Sequence, residues 1–428
     1  MKIFRFFLSL HGKFENLKEN LMKENNHLIV TNNKKYALNQ ILYGVPGTGK
    51  TYATVQISLQ ILGADTHART RADLKNEFDE RMKAAQIQFV TFHQSMTYED
   101  FVEGIKPKMI DGKITYEIKN GIFKDLCQQA AEEFKNFELG FKNLLKAIKT
   151  PKNIVETTTS AGKKMVFSKK SDEFILRFNG NETVHKDHIG SFLQRNDDSY
   201  KTPELEAVIK LLKNYSYPKP YVLIIDEINR GNVAQIFGEL ITLIEADKRL
   251  GQDEQLKVTL PYSKTIFGIP DNIFIIGTMN SADRSVEALD SALRRRFEFR
   301  ECPPQYNDLK MVENYDLKAI LKAINARIEQ LLDRDHVIGH TYFLNIQNLE
   351  ELKMVFQQQI MPLLQEYFFH DYGKIGLILG GGFVEKLETE NESIFANFDY
   401  EKPENHPIYR IKTDIDIKTA LEKLLQNG

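Results

Sequence analysis

Residues 44–51 read GVPGTGKT, and they lie between an apolar stretch and a stretch with helical periodicity. The preceding residues 40–43, QILY, are typical of a short buried strand, and residues 52–59, YATVQISL, are typical of a helix. The glycines of the octapeptide let the backbone curl until its N–H groups point inward. A turn of the pattern G-x-x-x-x-G-K-[ST] between a strand and a helix predicts a phosphate-binding loop.

Each part of this loop has an expected role in holding a nucleotide. The backbone N–H groups and the positive end of the following helix would face the phosphates. Lys50 would reach the β- and γ-phosphates, and Thr51 would bind Mg²⁺. The predicted nucleotide-binding residues are Gly44, Val45, Pro46, Gly47, Thr48, Gly49, Lys50 and Thr51.

A second apolar run ends in two carboxylates. Residues 221–225 read YVLII, which is typical of a strand buried on both faces of a parallel sheet, and Asp226 and Glu227 follow. Ligands bind at the carboxyl ends of such strands. We therefore expect Asp226 to hold Mg²⁺ and Glu227 to polarise the water that attacks the γ-phosphate. The alternative is an acidic surface pair that merely follows a core strand.

A third strand and an arginine cluster follow. Residues 273–278, IFIIGT, predict a strand that brings Asn280 to the same edge of the sheet, where an amide can fix the attacking water or the γ-phosphate. Residues 289–297, LDSALRRRF, contain three successive arginines. These arginines are either a solvated turn or arginine fingers, because guanidinium groups recognise phosphate oxygens.

The composition excludes several classes of protein. The chain has 428 residues, of which 42% are hydrophobic and 27% charged, as in an ordinary globular protein with two or three packed units. A net charge of -2 argues against a general nucleic-acid coat. Cys127 and Cys302 give neither a disulfide framework nor zinc spacing. The apolar N-terminus is interrupted too early for a signal peptide, and no later run predicts a membrane span, so we expect a cytoplasmic protein.

Taken together, the motifs closely resemble the AAA+ superfamily and, within it, the McrB-type GTPases of modification-dependent restriction systems. Residues 89–95, FVTFHQS, and 98–105, YEDFVEGI, resemble a stretch that ordinary AAA+ proteins lack. Residues 338–343, IGHTYF, and 360–368, IMPLLQEYF, are similar to motifs of the family's C-terminal helical lid. The further segments that carry the resemblance are GVPGTGKT, IIDEINR, GTMNSADRS and ALRRRF.

The resemblance implies further roles. Asn280 matches the sensor asparagine of the M-N-x-x-D signature, and several arginines are expected to act on the nucleotide of an adjacent subunit, which requires a ring; the family forms hexamers. Family members favour GTP, while no residue here distinguishes guanine from adenine, so GTP and ATP both remain possible substrates. The residues implied as catalytic are Asp226, Glu227, Asn229, Arg230, Asn280, Arg284, Arg295 and Arg296.

The expected fold class is α/β: a P-loop AAA+ parallel sheet flanked by helices, with an inserted subdomain and a helical C-terminal lid. We expect an N-terminal extension over residues 1–37 and a nucleotide-binding domain over 38–304, followed by the lid and tail over 305–428. The nucleotide-binding domain would contain an insertion at about 134–216.

The insertion is expected to be a folded appendage. Residues 165–167 and 174–178 predict a small sheet or hairpin with Asn179 and Gly180 as a turn. Residues 202–204, TPE, predict the N-terminal cap of a helix that runs to about Tyr215. Its lysines, at positions 163, 164, 169 and 170, either contact DNA phosphates or form a solvated face. Too few residues precede the phosphate loop for an independent core, so target recognition is expected in this insertion or in another subunit.

The expected function is nucleotide hydrolysis by an oligomeric ring that drives or licenses DNA translocation and cleavage. Because the chain has no P-D…E-x-K arrangement beside a strand, any DNA cleavage is expected from a partner. The resemblance implies that this partner is a McrC-like nuclease and that the DNA carries a modified base. The resemblance also implies a role in antiviral defence, with no membrane partner. Two alternatives remain: a MoxR-like protein-remodelling ATPase, and an assembly scaffold whose hydrolysis only times disassembly.

Overall fold

The protein is represented by a computed structural model, which describes residues 36–135, 219–282 except 251 and 253, 291–387 and 407–426. Between residues 135 and 219 it describes four strands and a few helical positions. The strands, in chain order, are β1 (Asn39–Gly44), β2 (Ile87–Thr91), β3 (Glu103–Ile110), β4 (Lys113–Asn120), β5 (Val155–Thr158), β6 (Lys164–Lys169), β7 (Ile175–Phe178), β8 (Glu182–His185), β9 (Tyr221–Asp226), β10 (Val258–Thr259), β11 (Ile266–Phe267), β12 (Ile273–Asn280), β13 (Glu298–Glu301), β14 (Met311–Val312), β15 (Tyr315–Asp316), β16 (Val384–Leu387) and β17 (Ile408–Ile411).

The helices flank the sheets and continue beyond β13 into a separate helical group. The α-helices, in chain order, are α1 (Lys50–Ile61), α2 (Arg71–Lys83), α3 (Tyr98–Phe101), α4 (Ile122–Lys135), α5 (Val233–Phe237), α6 (Leu240–Leu243), α7 (Ser291–Arg294), α8 (Leu317–Leu331), α9 (Leu349–Val355), α10 (Met361–Tyr367), α11 (Tyr372–Leu379) and α12 (Ile417–Leu425). One π-helical stretch, Phe356–Ile360, joins α9 to α10. No helix among the described residues has both the length and the apolar character needed to cross a bilayer.

The central sheet has five parallel strands in the order β13-β1-β12-β9-β2. The three strands that precede the predicted site residues, β1, β12 and β9, are neighbours in this order. Their carboxyl ends therefore meet at one edge, which is where the phosphate loop, Asn280 and the acidic pair emerge. The predicted α/β P-loop fold is confirmed.

Alternating side chains of the sheet are buried on opposite faces. Leu42 and Ile224 pack on the face covered by α1 and α2, while Ile41 and Ile225 pack on the face covered by α4, α5 and α6. All four side chains are fully buried. This two-sided burial explains why the strands read as continuous apolar runs in the sequence.

A buried arginine joins the amino-terminal end of the sheet to the loops beneath it. The Arg249 side chain is fully buried and donates to the carbonyl oxygens of Ile244 (2.9 Å), Pro270 (3.1 Å) and Ile273 (3.3 Å), and to Asn39 Oδ1 (2.8 Å). Burial lowers the pKa of Arg249 to about 10, so the group stays charged at neutral pH. Its charge is balanced by oriented oxygen dipoles.

Strands β3 and β4 form an antiparallel ribbon with two different faces. One face carries the cross-strand pairs Ile105 with Ile118, Pro107 with Tyr116, and Met109 with Ile114, and the opposite face carries lysines 106, 108, 113 and 119. At the base of the ribbon, Lys124 Nζ lies 2.6 Å from Glu103 Oε2, and both side chains are buried. The backbone N–H groups of Tyr262 and Ser263 donate to the other Glu103 oxygen, which fixes the base to the body.

The insertion contains a four-stranded antiparallel sheet in the order β5-β6-β7-β8. Strands β6 and β7 overlap residues 165–167 and 174–178, for which a small sheet or hairpin was predicted. The predicted turn at Asn179 and Gly180, the helix cap at Thr202, and Lys163 and Lys170 lie outside the described residues.

The helices after β13 pack around a core of their own. Side chains of α8, α9, α10, α11 and α12 form this core, with Ile324, Leu352, Phe356 and Leu421 fully buried within it. Two short hairpins, β14–β15 and β16–β17, lie beside the helices. A mostly helical C-terminal region was predicted; the domain boundaries stay predictions.

Candidate nucleotide site

The phosphate loop has the backbone that its glycines were predicted to allow. Gly44, Gly47 and Gly49 have φ angles of 153°, 76° and 77°, in the region that favours glycine. A Cβ at Gly44 would lie 2.6 Å from the carbonyl oxygen of Cys302, and one at Gly47 would lie 2.6 Å from the ring of Tyr342. Two of the glycines are thus needed both for backbone conformation and for close packing.

The Lys50 ammonium lies against its own loop. Lys50 is buried, and its Nζ donates to the carbonyl oxygens of Gly44 at 2.9 Å and Val45 at 2.8 Å. These two contacts hold the cation beside the loop backbone, where it can add a positive charge to the dipoles of the loop N–H groups.

Two threonines connect the loop to the acidic strand. Thr51 Oγ1 donates to Asp226 Oδ1 at 2.9 Å, and Thr278 Oγ1 donates to the same oxygen at 2.6 Å. The Thr278 hydroxyl in turn accepts the Glu227 N–H at 3.1 Å. The two residues predicted to bind Mg²⁺, Thr51 and Asp226, are therefore within hydrogen-bond distance of each other.

Glu227 is oriented by a strained backbone and by two polar side chains. Its φ angle of 54° is left-handed, which is uncommon outside glycine and often found at functional sites. Asn280 Nδ2 donates to Glu227 Oε1 at 2.7 Å, and Arg230 Nε lies 3.3 Å from Glu227 Oε2. Asn229 Nδ2 donates to the carbonyl oxygen of Asn280 at 3.4 Å. Asn280 thus holds the carboxylate on which the predicted water activation depends.

The oxygen donors at this edge suit Mg²⁺. A hydroxyl and a carboxylate are hard ligands, and Mg²⁺ usually takes one or two protein oxygens together with substrate phosphates. Among the described residues, no group of three or more His, Cys, Asp or Glu side chains could hold a metal. Thr51 and Asp226 are the residues at this edge that could hold Mg²⁺ together with the nucleotide phosphates.

The arginines lie at the opposite end of the sheet from the phosphate loop. Arg295 is exposed, whereas the Arg296 side chain is only 7% exposed and its Nη2 lies 2.7 Å from Glu245 Oε1. Asn39, which begins β1, donates through Nδ2 to the Arg296 carbonyl oxygen at 3.0 Å. A cavity of about 820 Å³ at this end of the sheet is lined by Asn39, Glu245, Arg295 and Arg296, among others. Arg284 lies outside the described residues.

The structure thus divides the predicted site residues into two sets. It brings Thr51, Asp226, Glu227, Asn229, Arg230 and Asn280 together at the loop, and it leaves Arg295 and Arg296 far from them. The chemical roles assigned to both sets stay predictions.

The segment of residues 338–343 closes over the phosphate loop. The Gly339 N–H donates to the Pro46 carbonyl oxygen at 3.1 Å, and the Thr341 N–H and hydroxyl donate to the Gly47 carbonyl oxygen at 2.9 Å and 2.8 Å. His340 accepts the Gln305 N–H at 3.1 Å through Nδ1. Burial lowers the pKa of His340, which favours the neutral ring that this contact requires.

Two residues that contact the phosphate loop or the acidic pair, Thr278 and Thr341, were not predicted from the sequence. Thr278 had a local signal, because it is a hydroxyl residue in an apolar strand and lies two positions before Asn280, on the same face. Thr341 had none: its partner Gly47 is 294 residues away along the chain. Cys127 is buried and Cys302 is partly buried, and burial raises the pKa of both thiols.

Comparison with known proteins agrees with this geometry. The family described as AAA domain (dynein-related subfamily) matches residues 149–297, which include β9 and β12 and begin after the phosphate loop. The family described as McrB, alpha-helical lid domain, matches residues 316–376.

Two restriction-enzyme components are similar over most of the chain. The Type IV methyl-directed restriction enzyme EcoKMcrB subunit of Escherichia coli (strain K12) is 28% identical over 78% of this chain and 54% of its own length. The Type II restriction enzyme BsuMI component YdiS of Bacillus subtilis (strain 168) is 24% identical over 83% of this chain and 86% of its own length. The chain therefore spans about half the length of the E. coli relative.

The parallel sheet, the phosphate loop and the acidic pair at its edge define a P-loop AAA+ protein. The helices that follow the sheet match the lid of one branch of that superfamily. The two family matches and the similarity to the E. coli subunit together support an McrB-type AAA+ protein.

Proposed function

We propose that this protein hydrolyses a nucleoside triphosphate, GTP or ATP, as the ring motor of a McrBC-like DNA restriction system. The network that joins Thr51, Asp226, Glu227 and Asn280 carries this proposal. It combines oxygen ligands for a cation with an oriented carboxylate at the edge of the sheet where the phosphate loop emerges. A protein that only bound nucleotide would not need the carboxylate held in this way.

In the proposed mechanism, the loop N–H groups and Lys50 bind the phosphates, while Thr51 and Asp226 hold the cation. Mg²⁺ neutralises charge on the phosphate oxygens when it is bound. Glu227 polarises the attacking water and accepts its proton, and Asn280 keeps the carboxylate oriented toward that water. The Glu227 backbone is left-handed, and the side chain meets Asn280 Nδ2 at 2.7 Å.

The hydrolysis site of one subunit would be completed by a neighbour. Arg295 is exposed at the end of the sheet opposite to its own loop, which suits an arginine finger supplied in trans. In the proposed hexameric ring each subunit then donates an arginine to one neighbour and receives one from the other. Arg296, with its side chain paired to Glu245, would shape this surface.

The proposed partners are a McrC-like nuclease and DNA that carries a modified base. Both similar proteins are named as components of restriction enzymes, and the E. coli relative is named as methyl-directed. The match to the McrB lid favours this assignment over a MoxR-like remodelling ATPase or an assembly scaffold.

The proposal is tested by measuring binding and turnover separately. Glu227→Gln should bind nucleotide as the wild type does and lose roughly 10²- to 10⁴-fold in turnover, because the amide keeps the shape but cannot accept the proton. Lys50→Ala should instead weaken binding. Turnover of Glu227→Gln close to that of the wild type would refute the role of Glu227.

Two further assays address the substrate and the partners. Competition between GTP and ATP gives the preferred base; faster ATP turnover would remove GTP specificity and leave the motor assignment intact. A restriction motor should also be stimulated by its nuclease partner together with modified DNA. A remodelling ATPase or a scaffold should not respond to that pair.

A further inference from the structure

The lid segment binds two consecutive carbonyl groups of the phosphate loop. Gly339 donates to the Pro46 oxygen, and Thr341 donates twice to the Gly47 oxygen, once from its N–H and once from its hydroxyl. Three hydrogen bonds thus hold two adjacent peptide units of the loop from the lid side.

Holding a carbonyl also fixes the N–H of the next residue. The peptide bonds of the loop are trans, and in a trans peptide the C=O and the following N–H point in opposite directions. With the Pro46 and Gly47 carbonyls held toward the lid, the N–H groups of Gly47 and Thr48 point away from it. Within the described chain, neither N–H makes a hydrogen bond of ordinary length and angle to a protein acceptor. In a phosphate loop, such N–H groups are the ones that face the phosphates.

The lid segment is itself held firmly. The Asn325 side chain, on α8, accepts the Ile338 N–H at 2.7 Å and donates to the Ile338 carbonyl oxygen at 2.9 Å. Asn325 and Ile338 are buried, so this pair of contacts links the helical core to the start of the segment. Gly339 then approaches so closely that a Cβ there would lie 2.0 Å from the Gly47 carbonyl carbon and oxygen.

We propose that residues 339–341 are a positioning element of the phosphate site, which aims the Gly47 and Thr48 N–H groups at the nucleotide phosphates. The inference rests on the proposed binding of a nucleoside triphosphate to this loop. Thr341 acts through the loop backbone and does not touch the phosphates. Because coupling between two sites is reciprocal, bound nucleotide must also strengthen the contact between the lid segment and the loop.

The test compares two glycine-to-alanine variants of the same lid. In Gly339→Ala the new Cβ cannot fit against Gly47, so the segment must withdraw; at Gly381 a Cβ would meet nothing within 4 Å, which makes Gly381→Ala the matched control. In titrations with a fluorescent nucleoside triphosphate, Gly339→Ala should bind about tenfold more weakly or worse, as expected for lost loop hydrogen bonds. Gly381→Ala should match the wild type.

A second pair of variants tests the hydroxyl alone. Thr341→Val removes one donor to Gly47 and keeps the size of the side chain, so affinity should fall by about fivefold. Thr341→Ser restores the donor and should return affinity to within about twofold of the wild type. This pair keeps the inference testable if Gly339→Ala does not fold.

Amide hydrogen exchange separates a positioning role from a purely structural one, because only a positioning role makes exchange in the lid segment respond to nucleotide. In the wild type and Gly381→Ala, nucleotide should slow exchange at the Gly339 and Thr341 amides; in Gly339→Ala it should not. Equal affinities for all variants, with the same exchange response, would overturn the positioning role while leaving nucleotide binding intact. A wild type that binds no nucleoside triphosphate would overturn the proposed function, and this inference with it.

Discussion

Replacing Arg295 by alanine tests whether neighbouring subunits complete each other's sites. Arg295 adjoins Arg296, whose carbonyl contacts the first residue of β1, while the phosphate loop begins at the last of its six residues. At ~3.3 Å per residue the two ends of β1 are about 16 Å apart, farther than an arginine side chain reaches. Any nucleotide that Arg295 contacts must therefore belong to another subunit.

The expected loss is large and specific to hydrolysis. An arginine finger contributes about 10³- to 10⁵-fold in rate, which corresponds to roughly 4–7 kcal/mol of barrier. Steady-state phosphate release should therefore almost vanish in Arg295→Ala, with nucleotide affinity unchanged. Arg294→Ala is the matched control, because Arg294 is also exposed and lies one residue away.

Mixing two inactive proteins gives the stronger test. Arg295→Ala subunits retain Glu227, and Glu227→Gln subunits retain Arg295, so an equal mixture leaves about a quarter of the interfaces with both groups intact, one half multiplied by one half. Hydrolysis should return to about that fraction of the wild-type rate. If mixed rings form and no activity returns, or if Arg295→Ala alone is nearly as fast as the wild type, Arg295 does not act across an interface.

Three further predictions concern stability and pH. Arg249→Met should lower the free energy of unfolding by roughly 3–5 kcal/mol, since its buried oxygen acceptors lose their donors; an unchanged urea midpoint would contradict this. Burial opposes ionisation of Glu103, but hydrogen bonds from Lys124 and Ser263 lower its pKa to about 2, below the usual 4.5. Its stabilising contribution is therefore complete above pH 4.5 and lost as the pH falls toward 2, and Glu103→Gln should flatten that acid slope in denaturation curves. Burial likewise lowers the pKa of His340 against a weaker opposing effect of Asp308, so the contribution of the neutral ring to stability should be complete above pH 6.5 and fall as the pH drops below that value, and His340→Asn should remove this pH dependence from denaturation curves.

The sequence predicted the parts of the site that depend on local pattern. The phosphate loop, the acidic pair and Asn280 each follow an apolar strand, and parallel strands bring such residues to one edge whatever the length of chain between them. That rule places Asn280 and Glu227 at the same edge of the sheet. The order of the sheet, in which β12 lies between β1 and β9, brings Asn280 Nδ2 to 2.7 Å from Glu227 Oε1.

Other features required the folded chain. Arg295 and Arg296 are adjacent in an unbroken arginine run, yet one is exposed and the other is paired with Glu245, because burial depends on elements distant in sequence. The contact of Thr341 with Gly47 likewise depends on how the lid packs on the sheet. Periodicity and spacing carry no information about either pairing, since both join segments that no short-range pattern connects.

The separation of loop and arginine on opposite ends of the sheet has a genetic consequence. If each chain belongs to two nucleotide sites, a chain with a lesion at either end enters the ring and disables a site that it shares with a normal neighbour. Such an allele would be dominant over the wild type when both are expressed together. An allele that prevents folding would leave the normal chains to assemble alone and would be recessive.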